Sequence, residues 1–297
     1  MIEQYTYPPQ SPHKRQYFYK YVTASTALII LTKNSLRWSH PSLFNDSFEL
    51  QISGSTFCDT SEIRRAMKRQ ALRKFKHCLH GKRYTDIVDS KYTYRDFLKN
   101  CNSQLELIRE NFESLSKGYL NELSEIYKSI RIICLAEECD NILMWSHYAD
   151  SHSGVVLRFE VQRDESADDP FVMAQKVQYS SEPLHFFTAE ELLQSIFDEQ
   201  DYAFNNYFPT HCFVKHDIWS YESEWRLIDI RSDSIDRHDD YNFKISKLSG
   251  IYFGCKCRPQ SYFDISQVMS SKYPNAELFM AKMDSRSYKL LFSEIKK

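Results

Sequence analysis

The apolar period of this chain changes at about residue 130, and that change limits the fold more than any other feature of the sequence. From about residue 60 to 130, apolar residues recur at helical spacing through long polar stretches: Ile63, Met67, Ala71, Phe75 and Leu79, then Phe97, Leu105, Ile108, Phe112 and Leu115. Beyond that point the apolar residues alternate or form short runs, at 130–135, 155–161, 173–179, 225–230, 243–253 and 278–283. In 155–161, Val155, Leu157, Phe159 and Val161 are apolar while Arg158 and Glu160 are polar, the spacing of a half-buried antiparallel strand. Ahead of the helical stretch the pattern predicts a strand over 16–22, a short helix over 27–31, and a second strand from Ser35. A loop to Glu49 follows, with turn chemistry at His40-Pro41 and Asn45-Asp46. Further helices are expected over 189–207 and around 264–271, and an acidic surface loop over 163–170. The expectation is one α+β domain over 1–297. Its core is a mostly antiparallel sheet, with a helical insertion at about 60–130 between an N-terminal strand pair and the C-terminal strands.

Composition narrows the function. With 38 Lys and Arg against 40 Asp and Glu, the formal charge of −2 creates no general field for a polyanion or a membrane. Only 6 glycines occur, and neither G-x-G-x-x-G nor G-x-x-x-x-G-K-[ST] is present, which argues against a Rossmann dehydrogenase or a P-loop ATPase. The first 16 residues hold no apolar run and 27–31 is far too short to span a bilayer, so the chain is expected to be soluble, cytoplasmic and without a membrane partner. The 8 cysteines follow no framework and fit reduced thiols.

All four tryptophans lie in blocks dense with polar groups able to do chemistry. One block runs from Arg37-Trp38-Ser39-His40-Pro41 to Phe44-Asn45-Asp46-Ser47-Phe48-Glu49. The second is Met144-Trp145-Ser146-His147-Tyr148, continuing to His152 and Gly154. The third holds Lys215-His216 and Trp219 to Arg226. Large aromatics that anchor loops, with polar neighbours capping turns, account for any one block taken alone. Taken in order with Lys20-Tyr21, the blocks resemble the bacterial domain-of-unknown-function family numbered twenty-nine seventy-one, from about residue 17 to 254. Ser47 stands where that family usually has Pro, and Val22 where Arg is common. The family supplies no reaction.

Glu222-Ser223-Glu224 is the most informative carboxylate pair. In an extended chain two residues apart point to one face, so both carboxylates can meet one substrate. The block also resembles the E-x-E element of ADP-ribosyltransferases, in which the second Glu stabilises the positive charge that builds on ribose as the nicotinamide bond breaks. That resemblance implies NAD as the substrate cofactor. It makes Glu224 the stabiliser and Glu222 the group that orients or activates an acceptor, with Lys20, Tyr21 and Ser39 holding the cofactor. It also implies an effector role of the kind found in phage defence or toxin-like systems. The first position here is Lys rather than the usual Arg or His. From the residues themselves, His147 is a candidate acid/base and Tyr148 a stacking partner, with Asn45, Asp46 and Arg226 supporting the cleft. Asn45 and Asp46 equally suit an Asx turn and a cap.

Other readings stay open. Asp46, Glu49, Glu224 and Lys215 suit a metal-dependent nuclease if folding brings them together. A non-catalytic sensor would use the same cleft to bind a nucleotide or a protein. The histidines and cysteines match no metal-ligand spacing, so no metal is expected. The partner is expected to be a nucleotide-type small molecule, with nucleic acid or protein open as acceptor. The basic segment 64–83 reads as a solvated helix face, with nucleic-acid contact as the lesser reading.

Overall fold

The computed structural model describes residues 13–50, 65–66, 69, 124–163, 169–181, 211–230 and 237–296. The chain divides into two compact units, one of 1–50, 128–182 and 213–297, the other of 51–127 and 183–212. The expected helix over 189–207 and nearly all of the insertion and the basic segment fall outside the described residues. In the second unit Ala66 and Cys212 are buried. The rest of this section concerns the first unit.

Its elements begin with β1 (Tyr17–Val22), α1 (Ala24–Lys33) and β2 (Ser35–Ser39), then β3 (Ile130–Ala136), α2 (Ile142–His147) and β4 (Val155–Glu160). Two short strands, β5 (Gln175–Lys176) and β6 (Gln178–Ser180), precede β7 (Val214–His216), β8 (Glu224–Ile230), β9 (His238–Asn242) and β10 (Leu248–Phe253). The chain ends with α3 (Pro259–Lys272), β11 (Glu277–Met283) and β12 (Leu290–Glu294). The main sheet runs β12-β11-β10-β4-β1-β3-β2-β9, with β8 added to β3 and β5 to β8, and it is antiparallel except where β10 meets β11. This is the expected α+β sheet.

Local chemistry sets the boundaries. Thr23 caps α1 by accepting from the Thr26 amide, and Asn34 ends it in the left-handed region at φ 56°. Of the run expected over 243–253 only Leu248–Phe253 is strand, because a 3₁₀ turn at Ile245–Lys247 separates β10 from the edge strand β9, which ends at Asn242. The run over 173–179 is likewise broken between a 3₁₀ turn at Pro170–Met173 and two short strands. Asp169, expected on a surface loop, is buried: its carboxylate accepts from the Phe171 and Gln162 amides and pairs with Lys247. A 3₁₀ cap and an internal cation have turned a loop acid inward.

Alternation along the strands separates two faces. Phe18, Val22, Leu36, Trp38, Ile133, Leu157, Trp225, Leu227 and Ile251 enter the main core together with Leu31 of α1 and Ile265 and Met269 of α3. On the other face Tyr21, Ala136, Val156 and Tyr252 pack around Trp145, which is fully buried and whose indole N–H donates to the Cys139 carbonyl at 2.7 Å. Gly154, the glycine that follows the second tryptophan block, sits where β4 begins under this helix. A Cβ there would lie 2.3 Å from the Val22 carbonyl oxygen and 2.9 Å from that of Ala149, both backbone. Gly154→Ala is therefore expected to destabilise the fold by at least about 2 kcal/mol, read as a lower urea midpoint, because backbone cannot yield as a side chain does.

Candidate functional site

The site begins at a fork in the sheet. β1 pairs with β4 over six residues but with β3 only through Tyr19↔Ala136, and β2 pairs with β3 only through Ser39↔Ile132. Where these strands part, a cavity of about 270 Å³ opens. Tyr19, Lys20 and Tyr21 of β1 border it, with Arg37 and Ser39 of β2 and Ile132, Cys134 and Ala136 of β3. The loop after β2 adds Leu43, Phe44, Asn45 and Glu49; Met144 and Tyr148 come from α2 and its C-cap, and Lys215, Glu222 and Glu224 from β7, the turn before β8, and β8.

Of the residues singled out from sequence, Lys20, Tyr21, Ser39, Asn45, Tyr148, Glu222 and Glu224 line this one cavity. Arg226 lies fully buried beneath it. Asp46 is turned into its own loop, where it accepts from the Phe48 amide at 2.9 Å. His147 is exposed at the end of α2 and meets the Tyr221 ring at 6.1 Å, away from the cavity lining. The route by which the two glutamates converge differs from an extended chain. Glu222 ends a 3₁₀ helix at Asp217–Glu222 and Ser223 is left-handed at φ 43°, ψ 51°, so Glu224 starts β8 after a sharp reversal. What brings the carboxylates together is a shared cation.

That cation is Lys215. Its ammonium donates to Glu222 Oε2 at 2.6 Å and Glu224 Oε2 at 3.3 Å, lies 3.5 Å from Glu49 Oε2, and sits 4.9 Å from the centre of the Trp219 ring. Arg226 holds the other side, donating from Nε to Glu224 Oε1 at 2.7 Å and from its terminal nitrogen to Glu224 Oε2 at 2.8 Å and to Glu49. Tyr148 completes the chain: its hydroxyl donates to Glu222 Oε1 at 2.5 Å and accepts from Asn45 Nδ2 at 2.9 Å. All five charged side chains are at most 5% exposed. Three carboxylates against two cations leave one negative charge in excess, in a place where water cannot spread it.

The environments push the carboxylates apart. Burial opposes ionisation of Glu224, but the Arg226 and Lys215 charges outweigh it and hold its pKa down to about 2. Burial raises Glu222 above its ordinary value, helped by the neighbouring Glu224 and only partly offset by Lys215. Glu49 is raised for the same first cause, and its Oε2 makes no hydrogen bond. Lys20 stands apart. In the strand it shares the face of the core-facing Phe18 and Val22, yet its ammonium reaches through the fork to the Cys134 carbonyl at 3.0 Å. It forms no ion pair among the described residues, and burial lowers its pKa.

A pH dependence follows. Glu224, depressed on folding, contributes stability that is lost as pH falls from its ordinary value of 4.5 through about 2. Glu222 and Glu49, raised on folding, contribute in the opposite sense: their burden is absent below 4.5 and grows as pH rises through their elevated folded values. Stability from this cluster is expected to peak near the ordinary carboxylate range. Glu222→Gln should flatten the decline on the alkaline side, as urea midpoints measured across pH would record.

Sequence gave notice of Glu49 and Lys215 only in the company of Asp46 and Glu224. The fold unites Glu49, Lys215 and Glu224, adds Glu222, and leaves Asp46 out. Among the described residues no group of three His, Cys, Asp or Glu side chains is arranged to hold a metal ion, and no helix is long and apolar enough to cross a membrane. Residues 144–227 match the model of a family described as a protein of unknown function, DUF2971. The family resemblance carried by the motifs is thereby supported. The matched stretch opens at Met144, before Trp145, and closes one residue past Arg226, so it takes in Tyr148, Lys215, Glu222 and Glu224. No curated protein and no solved structure matches the chain.

Proposed function

We propose that this chain breaks the bond between nicotinamide and ribose in NAD and passes the ADP-ribosyl group to water or to an acceptor. The observation that carries the reading is the pairing, on the floor of one cavity, of a carboxylate held ionised with one pushed toward protonation: Glu224 and Glu222. Two such carboxylates in one site divide charge stabilisation from proton transfer. Glu224 would stabilise the positive charge that grows on ribose as nicotinamide departs. Glu222, hydrogen-bonded to Tyr148, would orient the acceptor and take its proton. Lys20, in no ion pair among the described residues, would meet the diphosphate, whose charge would favour its protonated form against burial, and the rings of Tyr19, Tyr21, Phe44 and Tyr148 suit a flat heterocycle. Ser39 would hydrogen-bond the ribose.

One observation favours a second reading. Lys215 amid Glu49, Glu222 and Glu224 is the kind of residue set that metal-dependent phosphodiester cleavage uses. It is the lesser reading because Lys215 itself fills the point where the carboxylates converge, and Arg226 engages both oxygens of Glu224.

Incubation of the purified chain with NAD, with and without EDTA and a bacterial lysate, separates these readings when nicotinamide is followed by chromatography. Release that survives EDTA is the expected result. If no nicotinamide appears under any condition, the ribosyl reading falls. Cleavage of RNA or DNA that EDTA abolishes would put the second reading in its place.

A further inference from the structure

The strands that carry the first cavity border a second one on their opposite face. Leu36 and Trp38 of β2 and Leu227 and Asp229 of β8 alternate with Arg37, Ser39 and Arg226, and they line a cavity of about 520 Å³ that shares no lining residue with the first. Small-molecule sites commonly enclose about 300–1,000 Å³, so the space is of ligand size.

Its walls are rings that the core holds in place. Trp38 and Tyr241 lie 4.7 Å apart at 32°, while Phe171 and Phe243 are each pinned edge-on by Phe159, at 5.8 and 5.3 Å. Phe159 is fully buried, so these surfaces exist before any ligand arrives. Polar groups stand between the rings: Gln162, Asn242 and the exposed Lys244 also line the wall. Lys247 and Asp169 are both buried and neutralise each other. The Asp229 carboxylate accepts from the Tyr241 hydroxyl and from the Ile230 amide and still lies on the lining. The Trp38 indole N–H, in contrast, finds no acceptor among the described residues; its ring contacts Tyr241. A donor with no protein acceptor among the described residues, on an aromatic wall with a carboxylate nearby, suits a ligand that is flat, accepts one hydrogen bond and donates another.

We propose that this second cavity binds an uncharged planar heteroaromatic ring of nucleobase size, stacked on the Trp38–Tyr241 side, with a ring acceptor on the Trp38 N–H and a ring donor toward Asp229. The inference does not depend on how the first cavity is read. It predicts a binding event on the back of the strands that carry Ser39, Glu224 and Arg226.

The test titrates the full chain with adenosine and with cytidine, using ribose as the control without a ring, and follows binding by saturation-transfer NMR. Saturable binding of a nucleoside and none of ribose is expected. Trp38→Phe keeps the ring but removes the donor and should weaken binding about tenfold. Met173 lines the cavity and is half exposed, so Met173→Trp fills the space while sparing the core, and it should abolish binding. The second variant keeps the test decisive if the first does not fold. Failure of both nucleosides to bind up to low millimolar concentration overturns the proposal, as does binding that Met173→Trp leaves unchanged.

Discussion

Replacement of Arg226 by methionine is expected to lower the folding free energy by about 3–5 kcal/mol, the cost of leaving buried charge without its partner. Arg226 is fully buried and holds Glu224 through two hydrogen bonds and Glu49 through a third. Methionine matches much of its length, so the packing loss is small and the electrostatic loss dominates. Without the guanidinium, Lys215 alone among the described residues pairs with Glu49, Glu222 and Glu224. The carboxylates then have two ways to respond: they take up protons, or the loop that bears Glu49 lets go of β8. Either response moves the denaturation midpoint far more than removal of an exposed pair. Arg37, paired with Asp240 at 3.3 Å with both side chains well exposed, is the comparison; Arg37→Met should cost no more than about 1 kcal/mol. A loss at Arg226 as small as that at Arg37 would mean that Glu49 and Glu224 are already neutral in the folded chain.

The same network explains what was legible in the sequence. The alternation of Leu157, Phe159 and Val161 with Arg158 and Glu160 is a local signal that burial of one face enforces, whereas 225–230, buried on both faces in its first half, reads as a short mixed run. The breaks at 170–173 and 245–247 were not legible, because Phe171, Val172 and Met173 prolong an apolar run and Phe243 and Ile245 keep the spacing of a strand, so only the partner strands show where pairing stops. Glu222 and Glu224 were readable as a pair, though for an inexact reason. An extended chain would have sent them to one face by geometry alone, whereas the left-handed Ser223 reverses the backbone and Lys215 gathers the carboxylates. His147 shows the converse. Its neighbours in sequence include a fully buried tryptophan and a cavity-lining tyrosine, but one helical position rotates it by 100° onto the exposed side of α2. Glu49 and Lys215 depend on contacts across 166 residues of sequence, and no local pattern specifies such a meeting.

Glu224→Gln is expected to reduce nicotinamide release by about 10²–10³, the usual size of one preorganised electrostatic contact to a charged transition state. The substitution is interpretable because its cations keep partners: Arg226 retains Glu49, and Lys215 retains Glu222. The amide also fills the same volume, so the variant should fold, as its denaturation midpoint can verify. Glu222→Gln should act differently. Glutamine in that position still meets Tyr148 and Lys215 but carries no exchangeable carboxyl proton, so transfer to an acceptor should fall more than hydrolysis to water. The pH profile of that transfer should lose the limb that belongs to the raised Glu222 carboxyl. Equal losses in both variants, in both reactions, would point to a cluster that serves only to hold the fold together. A loss confined to transfer in Glu222→Gln, beside a general loss in Glu224→Gln, assigns the two carboxylates their separate work: one remains charged because Arg226 and Lys215 hold it so, and the other titrates because burial beside that charge makes ionisation costly.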